Sequence, residues 1–160
     1  MMNEISKIAM DKAIEQSKYN LKNDYQAGGP FGAVIVKDGK ILSEAHNTVV
    51  ESCDATAHAE INAIRKASKK LQTHDLEGCI LYTSAEPCPM CLSAIIWANI
   101  KEVYYANTKD DADDIGFRDD KIYEYLDGKQ KRMLKMHHIK SDKAKEVFNN
   151  FEKIEEREIY

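Results

Sequence analysis

Four side chains suited to metal and proton chemistry stand in two short clusters. His58 and Glu60 lie two residues apart in "TAHAEINAI", and Cys88 and Cys91 form a C-x-x-C in "SAEPCPMCLSAIIWA", with Pro87 and Pro89 ahead of each thiol. A C-x-x-C alone serves redox pairs, structural zinc knots and catalytic metal sites alike. The other cluster separates these readings. At the first turn of a helix, side chains tilt toward the N-terminus, so His58 and Glu60 can converge on a point just beyond the helix end. Cys88 and Cys91, three apart, share a face and converge in the same way. One imidazole and two thiolates make three good zinc ligands and leave a tetrahedral ion one open position for water, the pattern of a catalytic site. Glu60 then stands as the proton carrier. Helix N-termini and a metal both favour the thiolate, and a proline suits the start of a helix because its missing N–H costs little there.

The remaining candidates are weaker. Cys53 and Cys79 read as small hydrophobes or unpaired thiols, and Cys53 is the only nominee for the fourth ligand that a purely structural zinc would need. His46, His74, His137 and His138 have no spaced partners and read as surface or packing residues. Trp97 and Phe117 read as core aromatics.

The chain that must position these groups has 160 residues, 43% hydrophobic and 31% charged, which is the size of one globular domain, 1–160, with material for a core. Met1 to Met10 hold no apolar stretch of signal-peptide length, and no run approaches the roughly 20 apolar residues of a membrane span. Four scattered cysteines in a domain of this size read as reduced thiols, so a cytoplasmic location without membrane contact is expected. A net charge of -4 argues against a long nucleic-acid partner and leaves small substrates open.

Periodicity supplies the elements. Ile5, Ile8, Ala9, Ala13 and Leu21 predict an amphipathic helix over Glu4–Leu21, ended by Asn23–Pro30. Strands Phe31–Val36 and Lys40–Ala45 flank Asp38-Gly39, a favoured hairpin dipeptide. A helix over Ala57–Leu71 carries lysines near its end. Strand Cys79–Thr83, helix Met90–Ala98 and the strand "KEVYYA" imply a parallel crossover. "NTKDDADDIGFRDD" has no usable period and reads as a loop, "KIYEYL" offers one or two helical turns, and Ala144, Val147, Phe148, Phe151 and Ile154 mark a last amphipathic helix.

"HAE" followed by "PCPMC" resembles the zinc-dependent nucleobase deaminases, whose signature is H-x-E with P-C-x-x-C. "GGPFGAVIVKDGKIL", "AHN", "TAHAEINAIRKA" and "CILYTSAEPCPMCLSAIIWA" follow in that family's order, so the resemblance covers most of the chain. Gly116, Phe117, Asp119 and Asp120, then Ile122-Tyr123 and a terminal tyrosine, make it similar to the small bacterial guanine deaminases. The resemblance implies a cytidine deaminase-like three-layer α/β/α sandwich with a mixed five-stranded sheet. It implies one zinc per subunit on His58, Cys88 and Cys91, Glu60 as catalytic acid and base, and hydrolysis of guanine to xanthine and ammonia. It further implies that Asn47 holds the base through its amide, that Asp119 accepts the ring N–H groups of guanine and that Phe31 faces the purine. Backbone N–H groups near Cys88 would stabilise charge on the attacking oxygen. A homodimer is implied too, with residues about 130–160 exchanged so that Tyr160 closes the partner's pocket. Asp120 reads as a helix cap, and Arg118 as a neighbour able to pair with the two aspartates. A tRNA adenosine deaminase and a cytosine deaminase share the metal elements and stand as alternatives. Outside the enzymes, an interaction module with structural zinc is the other reading.

Overall fold

Asp38 and Gly39 both take positive φ, 50° and 71°, the backbone of the type I′ turn whose twist matches a right-handed hairpin. They join β1 (Gly32–Lys37) to β2 (Lys40–His46) in the computed structural model, which describes residues 4–22, 24 and 26–160. Of the break expected at Asn23–Pro30, Asn23 and Tyr25 lie outside the described residues. Ahead of the hairpin runs α1 (Glu4–Lys22), and after it come α2 (Ala59–Leu71), β3 (Cys79–Ala85), α3 (Pro89–Trp97) and β4 (Glu102–Asn107). Three further helices follow: α4 (Lys109–Asp114), α5 (Asp119–Leu126) and α6 (Asp142–Glu152).

The strands order as β2-β1-β3-β4. β1 runs antiparallel to both β2 and β3, while β3 and β4 run parallel across α3, so the sheet is mixed as expected. Among the described residues it has four strands, not five. Directly after β4 the chain turns to helix, where Thr108 and Asp111 form a reciprocal capping box that starts α4.

β1 is buried on both faces, and its alternating side chains divide the core in two. Val34 and Val36 pack with Ala9 and Ala13 of α1 and with Tyr82, whereas Ala33 and Ile35 pack with Ala63 of α2, Leu81 and Ile95 of α3. The result is three layers, α1 on one side and α2 with α3 on the other. Small residues let α1 lie directly on the sheet: a Cβ at Gly32 would stand 2.1 Å from the Ala13 carbonyl oxygen. The Ser6 hydroxyl also meets the buried Tyr82 hydroxyl at 2.8 Å.

The tail differs from this body. Every residue from 131 to 160 is exposed, including the apolar face of α6, where Phe148 is 78% exposed. The tip returns to the far end of α3, with the Tyr160 ring 5.8 Å from Trp97 and 5.7 Å from His74, and a Glu158 oxygen 3.4 Å from His74 Nε2. No helix among the described residues is long and apolar enough to cross a membrane.

Candidate active site

Both ligand-bearing helices begin on an extended residue that would ordinarily be a cap. His58 precedes α2 with φ -66° and ψ 158°, Cys88 precedes α3 with φ -64° and ψ 167°, and neither side chain turns back to cap its helix. They face each other instead. His58 Nδ1 lies 3.6 Å from Cys88 Sγ and 3.5 Å from Cys91 Sγ, and all three ligand atoms fall within 4.8 Å of one another. A tetrahedral zinc with Zn–S of about 2.3 Å and Zn–N of about 2.05 Å sets such atoms about 3.6 Å apart. The donor set therefore fits zinc. Among the described residues no fourth His, Cys, Asp or Glu joins the group, and Cys53 sits exposed in a turn. That removes the ligand a structural knot would need.

The local electrostatics suit the same chemistry. The hydrogen bond from Cys91, with help from His58, draws the Cys88 thiol down to about 4. Cys91, the donor in that bond and buried, is held above the ordinary thiol range. Of the two, Cys88 is the one held as thiolate, the form a metal binds. Burial pushes the Glu60 carboxyl up to about 7, near the pH at which a general base works best. The Thr83 hydroxyl of β3 donates to Glu60 Oε1 at 3.4 Å.

The proposed substrate residues gather on one side of this centre, with the exception of Tyr160. The Asn47 N–H donates to the Phe31 carbonyl at 3.0 Å, which sets the two side by side at the end of the hairpin. Asn47 Oδ1 accepts the Val49 N–H at 3.1 Å, so the end of the amide left for a ligand is the donor, Nδ2. Asp119 opens α5 and shares a chamber of about 20 Å³ with Phe31, His58, Glu60, Cys88 and Phe117. Burial, then the negative charge of Cys88, raises its pKa. Two wider cavities adjoin this chamber through His58 and Phe117, one of about 600 Å³ reaching Gly28, Asn47 and Ile115, the other of about 370 Å³ reaching Arg118 and Lys121. Tyr160 of the same chain stands at the opposite ends of α2 and α3, away from these cavities.

Several expectations change. Asp120 does not cap α5: Arg118 occupies the cap position, and Asp120 Oδ1 accepts the Lys121 N–H at 2.7 Å within the first turn. No ion pair joins Arg118 to either aspartate among the described residues, so Asp119 stays available. Phe117 is no core aromatic. It stands edge-on to Phe31, 4.7 Å between centroids, and lines all three cavities. Gly29 makes room for it, since a Cβ there would lie 2.7 Å from the Phe117 ring. Thr83 and Asn62 also serve the site, and no local spacing in the sequence marks either. Asn62 Nδ2 donates to the carbonyls of His46 and Ala57 and to the Thr48 hydroxyl, which ties the Asn47 loop to α2.

Residues 3–107 match the family model of the cytidine and deoxycytidylate deaminase zinc-binding region, and the chain belongs to that family. Guanine deaminase of Bacillus subtilis (strain 168) is 60% identical over 100 residues, which are 62% of this chain and 64% of that relative, slightly under two thirds of its length. The X-ray structure of guanine deaminase from Bacillus subtilis matches with a TM-score of 0.90 at 41% identity and covers 99% of both chains. A structure from work on tRNA:A34 deaminases matches with a TM-score of 0.60 at 37% identity, over 64% of this chain and 76% of that one.

Proposed function

We propose that this chain is a zinc-dependent hydrolytic deaminase that converts guanine to xanthine and ammonia. His58, Cys88 and Cys91 hold one zinc, and Glu60 moves the protons. The observation that carries this reading is the convergence of the three ligand atoms at zinc spacing beside a buried carboxylate poised near neutrality.

Held by these three ligands, zinc would supply Lewis acidity and lower the pKa of a water. Glu60 would take one proton from the attacking water and deliver it to a ring nitrogen of the base, then take the second from the hydroxyl formed at C2 and pass it to the departing amine. One C–O bond forms at C2, one C–N bond breaks, and one water is consumed. Asn47 Nδ2 donates to an acceptor on the purine, while the Asp119 carboxylate accepts ring N–H groups. Phe31 covers the base, and the Cys88 backbone N–H, at the start of α3, stabilises charge on the attacking oxygen.

Guanine is favoured over a tRNA adenosine for two reasons. The likeness to the guanine deaminase structure covers 99% of the chain, tail included, whereas the tRNA:A34 deaminase likeness covers 64% of it. The net charge of -4 also suits a small neutral base better than a polyanion.

We further propose a homodimer of single-domain chains, residues about 130–160 exchanged, with Tyr160 closing the partner's pocket. The exposed apolar face of α6 supports this, as does Ile96 of α3, 68% exposed, since both faces stay largely open among the described residues of one chain. Four free cysteines, one of them exposed, suit a reducing cytoplasm.

Ammonia release by the zinc-loaded protein, offered guanine, cytosine, adenine and a tRNA anticodon stem separately, tests the substrate. Guanine is expected to react. Release from the stem alone would move the reading to a tRNA deaminase.

A further inference from the structure

Asn20 lies near the end of α1, far in sequence from the catalytic motifs, yet it has 0% exposure. The other buried positions of that helix are Ser6, Ala9 and Ala13, all small. Asn20 Nδ2 donates to the Gly29 carbonyl at 2.6 Å and to the Asn47 carbonyl at 2.9 Å. Both neighbours are acceptors only, so the orientation of this amide is unambiguous. Its Oδ1 is buried with no hydrogen-bond partner among the described residues. Such an orphan acceptor costs stability, which is a poor return for a side chain that merely fills space.

Gly29 and Asn47 both line the cavity that leads to His58. Gly29 precedes β1 and Asn47 follows β2, and one carboxamide bridges them. Asn47 is otherwise fixed by its N–H on Phe31 and its Oδ1 on the Val49 N–H. The direction of its free Nδ2 therefore depends on where its backbone is held, and Asn20 is a buried side chain that holds it.

We infer that Asn20 is a positioning residue for the substrate, acting through Asn47 by setting the backbone from which the Asn47 amide reaches the base. This rests on Asn47 being the amide that holds the purine. Asn20 touches no reacting atom, and its loss leaves the metal ligands and Glu60 in place.

A double-mutant cycle tests the inference, with KM and kcat for guanine, zinc content and near-UV circular dichroism measured for each protein. Asn20→Ala is expected to raise KM roughly tenfold while kcat changes far less and zinc content stays at wild type, the size of one lost hydrogen bond to a fixed group. In the Asn47→Ala background the same change should do almost nothing to KM. Asn20→Ser, which keeps one short donor, carries the same cycle if the alanine variant does not fold, with a smaller rise expected. A KM effect of equal size with and without Asn47, or a loss of thermal stability with KM unchanged, would overturn the inference. Asn47→Ala leaving KM at the wild-type value would instead overturn the reading of Asn47 itself.

Discussion

A methyl group at Gly28 would sit 2.1 Å from Asn47 Oδ1, closer than any real contact, and the amide is what would have to yield. Gly28→Ala is therefore expected to raise KM for guanine by roughly tenfold or more, as a misplaced hydrogen bond would, and, since Gly28 has φ 156°, to lower the melting temperature as well. Steady-state kinetics beside a thermal melt check it, and an unchanged KM would show that the Asn47 amide does not hold the base. At this scale the sequence is a good guide to groups whose partners are near in sequence. His58 with Glu60, and Cys88 with Cys91, are set by the first turns of two helices, so spacing alone predicts their convergence. Thr83 reaches Glu60 across 23 residues and Asn20 reaches Asn47 across 27. Nothing local marks such pairs, because a buried donor is identified only by the acceptor that the fold brings to it.

The same substitution four residues later belongs to the level of elements. At Gly32 a Cβ would meet the Ala13 carbonyl oxygen at 2.1 Å and the Ser17 nitrogen at 2.5 Å, both backbone atoms of α1 that cannot swing aside. Gly32→Ala is expected to lift α1 from the sheet and to cost about 1–3 kcal/mol, the usual range for overpacking. Urea unfolding at constant zinc checks it, and an unchanged midpoint would contradict the close docking of α1. Elements with a strong apolar period were legible: α1, α2, α3, the hairpin and the parallel pair stand within two residues of their expected bounds. α4 was not, since its signal is a cap and not a stripe. Asp110 to Asp114 look like a solvated run until Thr108 and Asp111 are seen to satisfy each other's ends. The fifth strand was expected from the resemblance alone, with no segment of the sequence to carry it, and the described residues form four.

For the whole molecule, the period of α6 was readable but its cover was not. An amphipathic stripe shows that a face must be buried and is silent on which chain buries it. If Tyr160 closes the partner's pocket, two defective chains should repair each other. A Glu60→Gln chain has an intact tail, and a chain ending at residue 156 has an intact metal site; each alone is expected to be weakly active. Refolded together, they should regain guanine turnover, because mixed dimers bring a complete tail to a complete site. Mixed dimers shown by mass spectrometry but without recovery would contradict the exchange.

The most direct test of the zinc and Glu60 chemistry is a paired measurement of bound zinc and guanine turnover in the wild-type protein and in Glu60→Gln. Wild type should carry one zinc per chain and release ammonia from guanine. The variant should keep that zinc while turnover falls by roughly 10²–10⁴-fold, the range expected when the group that moves the protons is lost. A variant that keeps its zinc and still turns over guanine at the wild-type rate would contradict Glu60 as the proton carrier, and one that loses both would make Glu60 part of the metal's hold.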